Sequence, residues 1–228
     1  MRSFAETCPV CGANEFAERE VLWPGLINAW QLVTSEVDYI NRQQGFYCTQ
    51  CSNNLRSLAL ARAITREYDF NGTLREFCER CDLRLLEVNR AGNLTPVLCK
   101  MPSHRLVEFP EQDMLDFSLE ASSFDVVIHS DTLEHVSNPE RALSECRRVL
   151  RDKGRCIFTV PIIVDRLSRS RFGLSPSYHG AESESSDDQL VVTEFGLDVW
   201  KIVLRAGFSS CEFFALEYPS ALVLIAKK

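Results

Sequence analysis

Two Cys-x-x-Cys pairs, Cys8-Pro-Val-Cys11 and Cys48-Thr-Gln-Cys51, carry the clearest chemistry in this chain. A two-residue gap lets one tight turn aim two thiolates at a single point, and four soft ligands suit a tetrahedral Zn²⁺. The N-terminus, MRSFAETCPVC, lacks the apolar core of a secretory signal, so the pairs point to a metal before disulfides. The expectation is one structural Zn²⁺ on Cys8, Cys11, Cys48 and Cys51. A third pair, Cys78 and Cys81, lies in a charged helical stretch and reads as two spare core or surface cysteines. Cys146 and Cys156 fall on apolar faces and read as small hydrophobes. Carboxylates and imidazoles gather in His129-Ser130-Asp131-Thr132-Leu133-Glu134-His135. Further on, Arg166, Arg169 and Arg171 could grip a phosphate, carboxylate or acidic sugar, or form a solvated loop. His179, between a proline turn and a glycine, is the first choice of general base, and His135 the second.

These groups need a scaffold, and the stretch from Phe124 to Pro161 describes one. Phe124–His129 is rich in valine and isoleucine, as expected of a strand buried on both faces. Asn138-Pro139 opens a helix with a capping side chain and a proline at the first helical position. Ala142, Leu143, Cys146, Val149 and Leu150 recur at spacings of three and four, Arg147, Arg148, Arg151 and Lys153 crowd the last turn, and Gly154 is read as the stop. Arg155–Val160 is a second buried strand. Strand, helix and strand with tight connections make a parallel crossover, hence an α/β sheet whose ligands lie beyond the carboxyl ends of its strands. The loops His129–Ser137 and Pro161–Val192 occupy those ends.

Further elements follow from pattern. Asn53–Tyr68 and residues 73–82 read as helices, and Leu83–Val88 and His104–Phe109 as strands. Thr193–Ala206 reads as a helix with Phe195, Val199, Ile202, Val203 and Ala206 on its apolar face. Cys211–Leu216 and Ala221–Ala226 are joined by so short a turn, Tyr218-Pro219-Ser220, that they must pair antiparallel. Asp69-Phe70-Asn71-Gly72 is a turn and a boundary, dividing residues 1–70, a cysteine module with its exit helix, from residues 71–228. The acidic run Ala181–Asp188 is expected to be a mobile loop.

Bulk properties narrow the field. The chain has 228 residues, 45% hydrophobic and 25% charged, the composition of an ordinary globular protein. Its net charge of −7 and pI near 5.2 argue against broad nucleic-acid or membrane-surface binding. No apolar run is long enough to span a bilayer, and a cytoplasmic location is the expectation.

The Phe124–Pro161 block, the parallel sheet and the closing hairpin resemble the class I S-adenosylmethionine (SAM)-dependent methyltransferases, of the type 11 kind, over roughly residues 83–228. The fold expected is an α/β Rossmann-like sheet with a C-terminal antiparallel hairpin. The cysteine part is similar to a treble-clef or zinc-ribbon module, with a β-rich stretch between its knuckles. The resemblance implies that SAM lies along Leu85-Leu86-Glu87-Val88-Asn89-Arg90-Ala91-Gly92-Asn93, with Glu87 in the acidic position and Asn89, Ala91 and Gly92 in the glycine-rich turn. Only Gly92 of the usual glycines remains there, although small residues still allow close approach and asparagine tolerates left-handed φ. Glu108 matches the carboxylate that takes the ribose hydroxyls. Asp113 matches the residue that caps the adenine amino group, with Met114 packing on the base. His129, Ser130 and Asp131 would run along the methionyl end. The chain between Gly92 and Phe124 is shorter than the family norm, so an element there is expected to be truncated. The Asp131-x-x-Glu134-His135 spacing also resembles a divalent-metal site of some quinone-biosynthesis O-methyltransferases, but Glu-His is common here in enzymes without a metal, where it anchors the next helix.

Together these point to SAM-dependent methyl transfer to oxygen in a small molecule or saccharide. Methylation of rRNA or tRNA is an alternative, because some rRNA methyltransferases also carry a zinc module. A scaffold that has lost catalysis is another, supported by the eroded glycine motif. No Asn/Asp-Pro-Pro-Tyr/Phe motif stands at His129-Ser130-Asp131-Thr132, which disfavours amino-methylation of adenine.

Overall fold

The computed structural model describes residues 7–178 and 189–228. His179 and the acidic run Ala181–Asp188 therefore lie outside the described residues. The chain opens with the first cysteine knuckle and a two-residue strand β1 (Phe16–Ala17), which pairs antiparallel with β2 (Tyr47–Cys48). Between them the chain is helical: α1 (Pro24–Ala29) and α2 (Thr34–Gly45) replace the expected β-rich stretch. Pro24 sits in the first turn of α1, where its missing N–H costs nothing. At the end of α2 a Cβ on Gly45 would fall 1.8 Å from the Arg19 carbonyl oxygen, so only glycine lets the two segments meet.

Helix α3 (Leu55–Glu67) starts where the Asn54 side chain accepts a hydrogen bond from the Ser57 N–H. It is buried over most of its length and packs on the main sheet. α4 (Leu74–Arg80) has a reciprocal cap between Thr73 and Glu76. Cys78 on α4 is buried, and burial pushes its thiol up to about 12, which makes it an inert core residue.

Next come β3 (Leu85–Val88), α5 (Thr95–Leu98), β4 (His104–Val107), β5 (Phe124–Ser130), α6 (Pro139–Val149) and β6 (Leu150–Thr159). Three short strands follow, β7 (Ile162–Ile163), β8 (Arg169–Ser170) and β9 (Thr193–Gly196), then α7 (Trp200–Arg205) and the hairpin β10 (Ser210–Glu217) and β11 (Ala221–Lys227). The main sheet has the order β10-β11-β6-β5-β3-β4. β4, β3, β5 and β6 are parallel, and β11 runs antiparallel to both neighbours, as the short turn requires. No helix among the described residues is long and apolar enough to cross a membrane.

The order reverses between β3 and β5, which places a ligand crevice at their carboxyl ends. Residues 108–123 contain neither helix nor strand, in agreement with the short connection. Met114, Phe117 and Leu119 cover the sheet there instead. α6 ties this irregular chain down: Arg148 donates to the Leu119 and Phe117 carbonyls, and Glu145 accepts from the Phe117 N–H.

Three element boundaries depart from expectation. α6 ends at Val149, not at Gly154. Leu150 already pairs with Phe124, and Gly154 lies at the bulge where that register shifts. A Cβ there would stand 2.8 Å from the Arg151 carbonyl oxygen. Thr193–Gly196 is a strand rather than the first turn of a helix: it pairs with Ile162–Ile163 and Arg169–Ser170, and a Cβ on Gly196 would fall 2.0 Å from the Arg166 carbonyl oxygen. The stretch after Pro161 is not all loop: β7, β9 and β8 form a three-stranded sheet.

His129 is enclosed in the core, its ring stacked on Phe158 at 4.5 Å and its ligand atoms within 4.8 Å of the Cys146 and Cys156 sulfurs. Burial lowers its pKa to about 3, so it is neutral in the fold and charges when the chain unfolds below about 6.5. Its contribution is therefore complete above the unfolded pKa and lost as pH falls from about 6.5 toward 3. Exchanging His129→Leu is expected to flatten the acid limb of a urea-denaturation series between pH 6.5 and 4. An unchanged slope there rules the assignment out.

Candidate active site

The first cluster is the tetrad Cys8, Cys11, Cys48 and Cys51, whose four sulfurs lie within 4.8 Å of one another. Gly12 and Ser52 take positive φ (83° and 56°), which folds each knuckle back. The Cys8 and Cys51 sulfurs are 3.7 Å apart, as are those of Cys11 and Cys48. Hydrogen bonding to Cys51 and burial hold the Cys8 thiol protonated, while the bonds from Cys8 and Asn53 push Cys51 down to about 4. Four convergent soft donors fit a tetrahedral cation.

The second is the turn after β3. Glu87 is fully buried and shapes it. One carboxylate oxygen accepts from the Ala91 N–H at 2.9 Å and from the Thr95 hydroxyl at 2.5 Å, and the other meets His104 Nε2 at 2.7 Å. Asn89 and Gly92 both stand at φ 56°, the left-handed conformation that glycine or asparagine adopts at least cost. A Cβ on Gly92 would meet nothing within 4 Å, so the turn faces open space of the kind a cofactor backbone can enter. Asn89 accepts from the Phe109 N–H, joining this turn to the one after β4. Glu108 lies there, paired with Arg90 at 3.1 Å and partly exposed. Arg90 thus turns outward from the turn to its edge.

Asp113 is exposed, and its carboxylate accepts from the Leu115 N–H at 2.8 Å. Met114 is only 4% exposed and belongs to the core with Val88 and Val107, which leaves no open face for a base. At the end of β5, alternation sends His129 into the core, away from the cleft where the resemblance had placed it, and leaves Ser130 against the Thr159 hydroxyl at 2.9 Å. Asp131, at φ 49°, is ion-paired with Arg56 from α3. Its carboxylate is thus engaged by a cation, not combined with Glu134 and His135 in a divalent-metal set.

Glu134 is buried, and burial raises its pKa to about 8 despite the nearby Arg56. His135 Nδ1 lies 3.0 Å from the Leu190 carbonyl oxygen, and its Nε2 lies 3.7 Å from Glu134. The Glu134 carbonyl accepts from the Val192 N–H, so this loop anchors the chain returning to β9.

Beside Asp131 opens a cavity of about 790 Å³. Its apolar walls include Trp23 and Trp30 near α1, Ile40 of α2, Ile162 and Ile163 of β7, and Tyr178; Arg56, Asp131, Gln43 and Gln44 add polar groups. The N-terminal helices thus wall a site that opens at the carboxyl ends of β5 and β6. The arginines expected to contact an acceptor instead bind this wall together. Arg166 holds Glu36 and the Trp30 and Gln31 carbonyls, and Arg169 and Arg171 share Glu194. Trp30 donates its indole N–H to the Ser177 hydroxyl at 2.7 Å. Arg56, Trp23, Trp30, Thr95 and His104 carry no local signal of these roles, because each partner is distant in sequence.

Residues 72–158 match the model of the methyltransferase domain family. With the strand order, the match identifies this stretch as part of a class I SAM-dependent methyltransferase domain, preceded in the chain by a four-cysteine cluster. The chain is 28% identical over 113 residues to a glycine/sarcosine/dimethylglycine N-methyltransferase of Actinopolyspora halophila, an alignment covering 50% of this chain and 18% of that protein. Solved structures with likeness include a SAM-dependent methyltransferase of Thermotoga maritima (17% identity, 74% of this chain and 98% of that one, TM-score 0.38) and one of Aquifex aeolicus (15%, 68% and 86%, TM-score 0.43).

Proposed function

We propose that residues 71–228 transfer the methyl group of SAM to an oxygen of a small molecule or saccharide, and that residues 1–70 hold a structural Zn²⁺ and help enclose the acceptor. The cavity beside Asp131 carries this reading. It is concave, mostly apolar and of a size suited to a small ligand. Trp23 and Trp30 offer flat apolar surfaces to a sugar or aromatic ring. The net charge of −7 supports such an acceptor over an RNA.

SAM supplies an electrophilic methyl, which leaves sulfur without its bonding pair and takes a pair from the acceptor oxygen. The turn from Glu87 to Gly92 binds and orients the donor, with Glu108 and Asp113 at the ribose and adenine ends. The cavity excludes water and aligns the acceptor. The hydroxyl proton goes to a base, either His135, beside the loop that borders the cavity, or His179, which follows the cavity residue Tyr178 in the chain.

Incubation with methyl-labelled SAM and a panel of hydroxylated metabolites and saccharides, read by mass spectrometry, tests the assignment. Label on oxygen is the expected result. Label on an amine transfers the reading to N-methylation, which the named activity of the Actinopolyspora relative favours as the second choice. Label in RNA overturns the small-molecule reading. Asp113→Ala is expected to weaken SAM binding by roughly 1–3 kcal/mol with the fold intact. Unchanged affinity by calorimetry would show that the adenine lies elsewhere.

A further inference from the structure

The second cysteine knuckle is hydrogen-bonded to the cofactor turn. Asn93 directly follows Gly92, and its Nδ2 donates to the Ser52 carbonyl at 2.8 Å. In return Asn53, only 1% exposed, donates its Nδ2 to the Asn93 carbonyl at 3.3 Å and to the Cys51 carbonyl at 3.3 Å. The backbone of the tetrad residue Cys51 and that of Asn93 are therefore held by one buried side chain. Ser52 stands at φ 56°, so the carbonyl that Asn93 meets is aimed by the knuckle itself. Three residues beyond Asn53, Arg56 reaches Asp131 at the end of β5. The stretch from Cys51 to Arg56 thus touches both loops that border the crevice, after β3 and after β5.

We infer that metal occupancy at the four cysteines is coupled to SAM affinity, with Asn53 and Asn93 as the positioning residues that carry the coupling. The inference rests on the SAM-binding reading above. A cation drawing Cys51 to its three partners fixes Ser52 and Asn53, and these fix Asn93 against the open side of Gly92. Such coupling is reciprocal: a metal that tightens SAM binding must itself be held more tightly when SAM is bound.

The test uses the full chain loaded with zinc. Zinc affinity is measured by equilibrium competition with a chelator of known strength, with and without saturating SAM. SAM affinity is measured by calorimetry on zinc-loaded and chelator-treated protein. Both affinities are expected to rise by the same factor, roughly tenfold. Asn93→Ala is expected to keep one zinc per chain, its circular dichroism and its melting temperature, yet to show the same zinc affinity with and without SAM. If the chelated protein unfolds, the competition arm and Asn93→Ala still decide. A wild-type protein that binds SAM but shows equal zinc affinities in both conditions overturns the inference alone, as does an Asn93→Ala protein with full coupling. A zinc-loaded wild-type protein that binds no SAM overturns both the inference and the functional reading.

Discussion

Cys48→Ser is expected to lower the melting temperature of the whole chain by more than about 10 °C and to leave the protein with substoichiometric zinc. The expected size follows from the ligand set. A structural Zn²⁺ on four cysteines binds with an apparent free energy on the order of 10 kcal/mol, most of it available to folding, and a domain of this size has total stability of about the same order. The expected breadth follows from packing. Cys8 and Cys48 lie in one apolar cluster with Leu55 and Leu58 of α3, Leu85 of β3, Ile157 of β6 and Val223 and Ile225 of β11. Loosening the knuckle therefore frees α3 from the sheet it covers. Thermal scans read by circular dichroism and by tryptophan fluorescence should show a single lowered transition. Separate transitions, with the sheet melting at the wild-type temperature, would show that the cysteine part is an independent unit. A wild-type melting temperature together with full zinc would remove Cys48 from the ligand set.

Arg56→Met is expected to cost about 3 kcal/mol or more, the usual consequence of removing one partner from a buried ion pair. Arg56 is largely buried; burial lowers its pKa to about 10, and Glu134 opposes that shift. Its loss leaves Asp131 without its cation and Glu134 without a compensating field. The double variant Arg56→Met/Asp131→Leu should recover much of the stability, because neither charge is then stranded. Glu134 adds a pH signature. Its folded pKa, about 8, exceeds its ordinary value near 4.5, so the folded chain holds a proton that the unfolded chain releases. Stability from this group is present below about 4.5 and lost as pH rises toward 8. Without Arg56 the charged form is still less favourable, and the loss should extend to higher pH. Urea denaturation across pH 5–9 measures both effects. An Arg56→Met protein within about 0.5 kcal/mol of wild type, with the same pH profile, would mean that the pair is solvated and structurally idle.

Much of the scaffold was legible from local chemistry. The valine- and isoleucine-rich runs around Val126 and Ile157, with Asn138-Pro139 between them, dictate strand, helix and strand, because each signal acts within a few residues. The three-residue turn before Ala221 dictates an antiparallel hairpin for the same reason. The cysteine spacing foretold a four-sulfur cluster across nearly forty intervening residues, since each pair is built by its own turn.

Other features required the folded chain. Gly154 read as a helix stop and Gly196 lay inside an expected helix, yet each answers to a carbonyl brought close in space, from Asp125 and Arg166 respectively. Arg166, Arg169 and Arg171 looked available to a substrate until Glu36 and Glu194 arrived from other elements. His129 sits in a family-like loop sequence, but strand alternation turns it inward against Phe158. The helices from Pro24 to Gly45, which wall the cavity, have no partner in their own sequence neighbourhood. Composition, periodicity and spacing determine what a segment can form, because backbone preference and burial pattern are local. Which charges cancel, which side chain at the end of β5 turns into the core and which wall closes the cavity depend on contacts between distant residues, and only packing supplies those.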